Sequence, residues 1–482
     1  MNIAQRVTPA IVPQELLERI RALVGAKGFI TDPEAMEPHL TERRQLYVGK
    51  TPVVVKPANA EQVAEIVRLC AAARVPIVPQ SGNTSLCGAS VPHEHGGEIV
   101  LSLQRLNQII DVDPLNYTMT VEAGVILQNV QQAAADADRL FPLSLGAEGT
   151  CLIGGNLSTN AGGIQVLHYG NARNLVLGLE VVLPDGQIWD GLRALKKDNT
   201  GYDLKQIFMG AEGTLGIITK AVLKLFPKPK DMATAFIAVP DPRAALDVLS
   251  AAREAGEDNV TSFELLDRVG LDMVLSNMAG FADPLAQPYR WYVLTEWWST
   301  RANSGLNEKM ENFLAAMIEQ GKVLDGALAQ SQAQRAYFWK IREAFAHAPR
   351  MEGGTLGHDV SVPVARVPDF IAQATAKAHS MVEGVRPMAF GHLGDGNIHF
   401  NVVQPKNVER AEFLKRYPEF NRAVHDIVMA LNGSISAEHG IGRLKLQDLE
   451  HYRSQTELDI MRKIKRALDP HGIMNPHKIF EV

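Results

Sequence analysis

The stretch "GTCLIGGNLSTNAGG", Gly149 to Gly163, is a glycine-rich loop crowded with Ser, Thr and Asn. Glycine lets a backbone approach a phosphate closely, and consecutive N–H groups with nearby hydroxyls form an anion-binding nest. One such loop is ordinarily a turn. Here two more stand beside it in the same half of the chain: "PQSGNTSLCGAS", Pro79 to Ser90, and "MGAEGTLGI", Met209 to Ile217. None fits G-x-G-x-x-G or G-x-x-x-x-G-K-[ST], so neither a Rossmann dinucleotide site nor a P-loop is supported. A long dinucleotide wrapped by several separate loops is what remains.

Around these loops the text alternates. "PVVVKP" reads as a strand, "EQVAEIVRLCAAARV" as an amphipathic helix and "PIVPQ" as a buried strand running into the first loop. Further strands at "EIVLSL", "YTMTVEAG", "LGLEVVLP" and "LGIITKAVLKLF" make 51–230 an α+β domain, closed by the "PKPK" of Pro227 to Lys230. A helical segment, 1–50, precedes it. Residues 231–433 change pattern, with strand "TAFIAV", a helix, the apolar piece "TSFELLD", strand "RWYVLTEWW" and another helix. That order predicts a split βαβ sheet with helices on one face. Residues 434–482 are helices ending in the tail "MNPHKIF".

Composition narrows the function. The 482 residues are 46% hydrophobic and 21% charged, with net charge -6, which offers no basic field for nucleic acid. No run approaches a membrane span, and the first residues lack a continuous apolar h-region. A cytoplasmic protein is expected, with an organellar import signal left open. Cys70, Cys87 and Cys151 have no C-x-x-C spacing and are expected to be buried thiols.

The hairpin "AFGHLGDGNIHFN", Ala389 to Asn401, carries the chemistry. If Asp395 and Gly396 form a type I′ turn, Gly394 pairs with Asn397 and His392 falls directly opposite His399. Their Cβ atoms would then be roughly 5 Å apart, close enough to chelate one cation. Asn401 would share their face. "SAEHGIG", Ser436 to Gly442, adds Glu438 beside His439. Two imidazoles and a carboxylate with an open position are the arrangement of catalytic zinc, and the set also suits non-haem Fe(II).

The motifs "PQSGNTS", "IGGNLSTNAGG", "KDNTGYDLKQIFMGAEGTLGIIT", "GHLGDGNIHFNV", "SAEHGIG" and "MNPHKIF" resemble the FAD-linked oxidases of the vanillyl-alcohol oxidase and p-cresol methylhydroxylase type. Within that group they look most like the D-2-hydroxyacid dehydrogenases, the branch of D-2-hydroxyglutarate and D-lactate dehydrogenases. The resemblance runs from about residue 50 to the C-terminus. It implies a fold of α+β class: a two-subdomain PCMH-type FAD-binding domain, a ferredoxin-like substrate-binding cap, and a helical C-terminal segment returning to the flavin. By resemblance Pro79, Gln80, Ser81, Gly82, Asn83, Thr84 and Ser85, with Gly154, Gly155, Asn156, Thr159, Asn160, Gly162 and Gly163, hold the pyrophosphate and flavin. Glu212, Gly213, Gly216 and Ile217 close the site, and Asn475 lies near the isoalloxazine. The first loop has no His where covalent members often carry one, so FAD is expected to be non-covalent.

The resemblance also assigns Zn2+ to His392, His399 and Glu438, and flavin to take the electrons makes a redox-inert ion the simpler choice. His439 is then expected to take the hydroxyl proton, Arg342 of "FWKIREAF" to pair with the substrate carboxylate, and Asn401 to donate a hydrogen bond. The 2-hydroxyglutarate enzymes carry a lysine just before the Asp-x-Ser-x-Pro segment. His358 occupies that place here, and Ala346 replaces a threonine expected four residues after the arginine. A mostly neutral histidine attracts a second carboxylate less than lysine does, which favours D-lactate over D-2-hydroxyglutarate or D-malate. An electron-transfer flavoprotein or a quinone is the expected acceptor, and a homodimer the expected assembly. A glycolate oxidase subunit and a non-haem iron oxygenase are the alternatives.

Overall fold

The computed structural model describes residues 11–481, and the first ten residues of the expected N-terminal segment lie outside them. The chain divides into two compact units. Of the described residues, the first contains 11–162, Asn171–Pro227 and 438–481; the second contains Gly163–Gly170 and Lys228–Ala437.

In the first unit a four-stranded sheet has the order Phe29–Ile30, Val54–Val55, Ile99–Ser102, Ile77–Gln80. The last three strands are parallel, and Phe29–Ile30 pairs antiparallel at one edge. The helix Ala60–Ala73 crosses between Val54–Val55 and Ile77–Gln80. It starts at Asn59, whose side chain accepts the Gln62 N–H, and stops at Arg74, which has a left-handed φ of 55°. Val63, Ile66, Val67 and Cys70 line its buried face. Beside it in the chain comes a five-stranded antiparallel sheet, Ile109–Asp113, Thr118–Glu122, Ile217–Lys224, Val176–Val182 and Ile188–Gly191. The three cysteines are buried thiols outside any disulfide.

The second unit is built on a seven-stranded antiparallel sheet. Its order is Asp325–Leu328, Asp231–Val239, Trp291–Ser299, Val260–Asp267, Arg386–His392, Asn397–Val403, Thr355–Ser361. The first four strands, taken in chain order, stand as fourth, first, third, second, which is the split βαβ arrangement. Helices cover both faces, not one. Pro242–Ala255, Leu306–Glu319, Val367–Met381 and Tyr417–Ala430 pack on Ile237, Leu265 and Phe400. On the other face, Arg268–Asn277 and Gln332–Ala344 pack on Phe236, Leu294 and Phe390. The physical reason is visible in "TAFIAV" and "WYVLTEWW", which are apolar at consecutive positions, so both sides of each strand need cover. Among the described residues no helix is long and apolar enough to cross a membrane.

Candidate active site

The histidine hairpin differs from its expected register by two residues. His392 pairs with Asn397 and His399 with Phe390, so four residues, Leu393 to Gly396, form the connection. The type I′ turn needs positive φ at both central positions. Only Gly396 has one, 84°; its N–H donates to His392 O at 3.1 Å, and a Cβ there would meet Val362 O at 2.1 Å. A shift of two preserves the face of every side chain. His392 and His399 are therefore diagonal neighbours on one face, ring centroids 5.8 Å apart, and Asn401 shares that face by alternation.

Adjacent strands complete the face. Glu264 stands directly opposite His392, and Asp359 opposite His399. Glu264 is fully buried; its Oε1 accepts from His392 Nδ1 at 2.6 Å, and its Oε2 accepts from Arg342 Nε at 2.6 Å. Burial pushes its carboxyl up, but His392 and Arg342, which both face it, overcome this and hold it at about 2. The Arg342 guanidinium lies over the Phe390 ring, 5.0 Å from its centroid. A second carboxylate lies near the second imidazole, beyond hydrogen-bond reach: Asp359 Oδ1 is 3.7 Å from His399 Nδ1 and is fixed by Asn397 Nδ2 at 2.9 Å. An imidazole whose Nδ1–H donates to a carboxylate keeps its Nε2 lone pair for a ligand, the backing typical of metal-binding histidines. The donor chemistry of this face therefore fits a divalent cation.

Glu264 escaped the sequence reading. The available signal was an acid in mid-strand inside the apolar piece "TSFELLD". His358 is a correction of the opposite kind. Asp359 is on the histidine face, so the preceding residue points to the other side. There His358 is buried, with Nδ1 3.1 Å from Phe400 O and its ring beside Tyr417 and His425. The position on the histidine face is Gly357, opposite Asn401. Ala346 is exposed just beyond the helix that carries Arg342.

In the first unit the expected flavin loops gather. The helix Ile153–Ser158 approaches the first loop so closely that a Cβ on Gly155 would lie 2.9 Å from Ser81 Cβ. Pro79 faces Gly213, and Gly162 faces Glu438. A cavity of about 640 Å3 is lined by Gly82, Asn83, Thr84, Gly146–Thr150, Pro38, Thr41 and Arg43. Arg43, a cation suited to a phosphate, was not expected from the sequence.

Several of the expected cofactor residues have side chains bonded within the protein. The Gln80 side chain bonds His39 and Ser90 O. Asn83 Nδ2 donates to Pro38 O and Thr41 O, Asn160 Oδ1 accepts the Arg173 N–H, and Ile217 lies in the core. The bonded side chains of Gln80, Asn83 and Asn160 fix the shape of the loops. The Glu212 carboxylate accepts from backbone N–H groups of the "SAEHGIG" loop. Asn475 is 1% exposed, and its Oδ1 has no hydrogen-bond partner among the described residues. A buried acceptor without a donor is costly, so loops, cavity and Asn475 together fit a dinucleotide.

Residues 228–479 match the family described as "FAD linked oxidases, C-terminal domain", and residues 51–191 match "FAD binding domain". The chain belongs to the FAD-linked oxidases. Among relatives of this FAD-linked oxidase is a probable mitochondrial D-2-hydroxyglutarate dehydrogenase of Oryza sativa subsp. indica, 36% identical over 461 residues, 95% of this chain and 80% of that one. A D-2-hydroxyglutarate dehydrogenase of Xanthomonas citri pv. viticola is 36% identical over 465 residues, 96% of each chain. The fold resembles p-cresol methylhydroxylase with substrate bound, with TM-score 0.75 and 16% identity over 98% of each chain. It also resembles alkyldihydroxyacetonephosphate synthase, with TM-score 0.74 and 18% identity over 99% of this chain and 87% of that one.

Proposed function

We propose that this oxidase converts a D-2-hydroxyacid to the 2-oxoacid, using non-covalent FAD and a divalent metal, zinc first, held by His392, His399 and Glu438. The observation that carries the reading is buried Glu264, one carboxylate gripping both a histidine of the pair and the arginine expected to meet substrate. Connectivity supports the third ligand. The Ala437 N–H donates to Asp359 O, and Asp359 is the strand partner of His399, so Glu438 follows one peptide bond later.

FAD held by the glycine-rich loops would supply the hydride acceptor for Cα, and a cation held by His392, His399 and Glu438 would supply the charge that acidifies the substrate hydroxyl. His439 takes the hydroxyl proton. Arg342, its Nε–H held by Glu264, turns its remaining N–H groups to the substrate carboxylate. Asn401 donates a further hydrogen bond. An electron-transfer flavoprotein or a quinone would be the electron acceptor.

For non-covalent FAD, acid precipitation should release the yellow colour into the supernatant. Colour retained in the pellet would count against it.

The substrate tail is read from Gly357. Its place on the histidine face provides no cation, so the preference for a short tail, D-lactate first, stands on Gly357 instead of His358. The names of the relatives favour D-2-hydroxyglutarate as the second reading. Anaerobic flavin bleaching with a panel of D- and L-2-hydroxyacids separates them. D-lactate should exceed D-2-hydroxyglutarate in kcat/KM by about tenfold, the worth of one charge-assisted contact. The reverse order rejects the argument from Gly357, and bleaching by L-isomers alone rejects the D-2-hydroxyacid reading.

A further inference from the structure

We infer that Glu212 is a positioning residue that locks the loop of the catalytic base to the flavin loops, and that it does not itself touch the flavin; this rests on the role proposed for His439. Each polar group of Glu212 has a protein partner in a segment that the sequence placed at the cofactor. Its N–H donates to Ser158 O at 2.8 Å, on the glycine-rich helix. Its C=O accepts from Asn475 Nδ2 at 2.7 Å. Its Oε1 accepts the Ile441 N–H at 2.7 Å and its Oε2 the Gly442 N–H at 2.8 Å. One residue thus joins three segments: its backbone holds the stretch after Gly154 and the C-terminal tail, and its side chain holds the loop that begins with Glu438 and His439.

The surroundings reinforce this grip. Lys465 Nζ donates to Thr214 O at 2.7 Å and to Met474 O at 2.8 Å, and it pairs with Asp469 Oδ2 at 2.5 Å. The same buried ammonium therefore fixes the residues on either side of the Glu212–Asn475 contact. Glu212 is buried, and both carboxylate oxygens accept from backbone donors. Its φ of 50° keeps an uncommon left-handed backbone in place. A group so fully engaged is built to hold the "HGIG" backbone still, which sets where the preceding imidazole stands.

The test uses flavin-loaded Glu212→Gln. An amide has a single acceptor oxygen, and its NH2 must face one of the two N–H donors. Amide exchange in the peptide covering 438–442 should rise at least tenfold, the effect of one lost charge-assisted hydrogen bond. Exchange over 153–158, FAD stoichiometry and the flavin spectrum should stay as in the wild type. The kcat should fall about tenfold with KM within threefold. The solvent isotope effect on flavin reduction should grow, because proton removal becomes slower.

Gly440→Ala provides a second variant. Its Cβ would meet Glu212 Oε1 at 2.5 Å, and the same changes are expected, which covers a Glu212→Gln that does not fold. A shifted flavin spectrum or lost FAD with unchanged exchange at 441 and 442 overturns the inference in favour of a flavin contact. Faster exchange with unchanged kcat overturns the catalytic part. Failure of the function reading appears separately, as wild-type flavin that no 2-hydroxyacid bleaches, and the exchange measurement still decides whether Glu212 holds the loop.

Discussion

His439→Asn lowers the kcat for the D-2-hydroxyacid by roughly two to four orders of magnitude, the usual worth of a general base, and leaves FAD bound. Asparagine keeps a polar side chain of similar reach but cannot take a proton near neutral pH. The loop itself should persist in this variant, because Glu212 grips the backbone N–H groups of Ile441 and Gly442, not the imidazole. Proton removal belongs to the transition state, so kcat and kcat/KM should fall together while KM changes little. Stopped-flow flavin reduction under anaerobic conditions measures this directly and excludes effects of the electron acceptor. A near-wild-type reduction rate would show that the proton leaves by another route.

The parts of this site that were legible in the sequence are those set by local chemistry. Glycine-rich loops announce close backbone approach wherever they occur, and Gly155 against Ser81 is such a contact. Strand alternation kept His392, His399 and Asn401 on one face even though the connection is four residues long. The register was not legible, because Asp-Gly specifies a tight turn only when both residues can take positive φ. Here the Gly396 N–H is drawn back to His392 O. The same alternation, counted from Asp359, would have moved the substrate argument from His358 to Gly357. Glu264 was hidden for a deeper reason: its two partners stand 128 and 78 residues away, and only the order of strands in the sheet brings them together. The second helical layer on that sheet was readable from the unbroken apolar strands, but split βαβ topology alone suggests a single layer.

The largest structural effect is expected from Glu264→Gln. In the wild type each carboxylate oxygen accepts from a different partner, His392 Nδ1 and Arg342 Nε, both at 2.6 Å. The amide can accept from one of them and must point its own N–H groups at the other. It also leaves the buried Arg342 guanidinium without its counter-charge. Breaking a buried pair by removing one partner costs about 3–5 kcal/mol, which thermal and denaturant unfolding of the flavin-loaded protein would measure. The functional consequence is separable. An imidazole that loses its carboxylate backing binds metal about 10–100-fold more weakly, so the variant should release zinc at a correspondingly lower chelator concentration. Prolonged chelation of the wild type should abolish turnover with FAD retained, and Zn2+ should restore it. Full activity in metal-free wild-type protein would sink the metal reading outright. If Glu264→Gln kept wild-type zinc affinity while losing stability, Glu264 would serve Arg342 and the fold alone, and the metal would have to lie elsewhere than on His392.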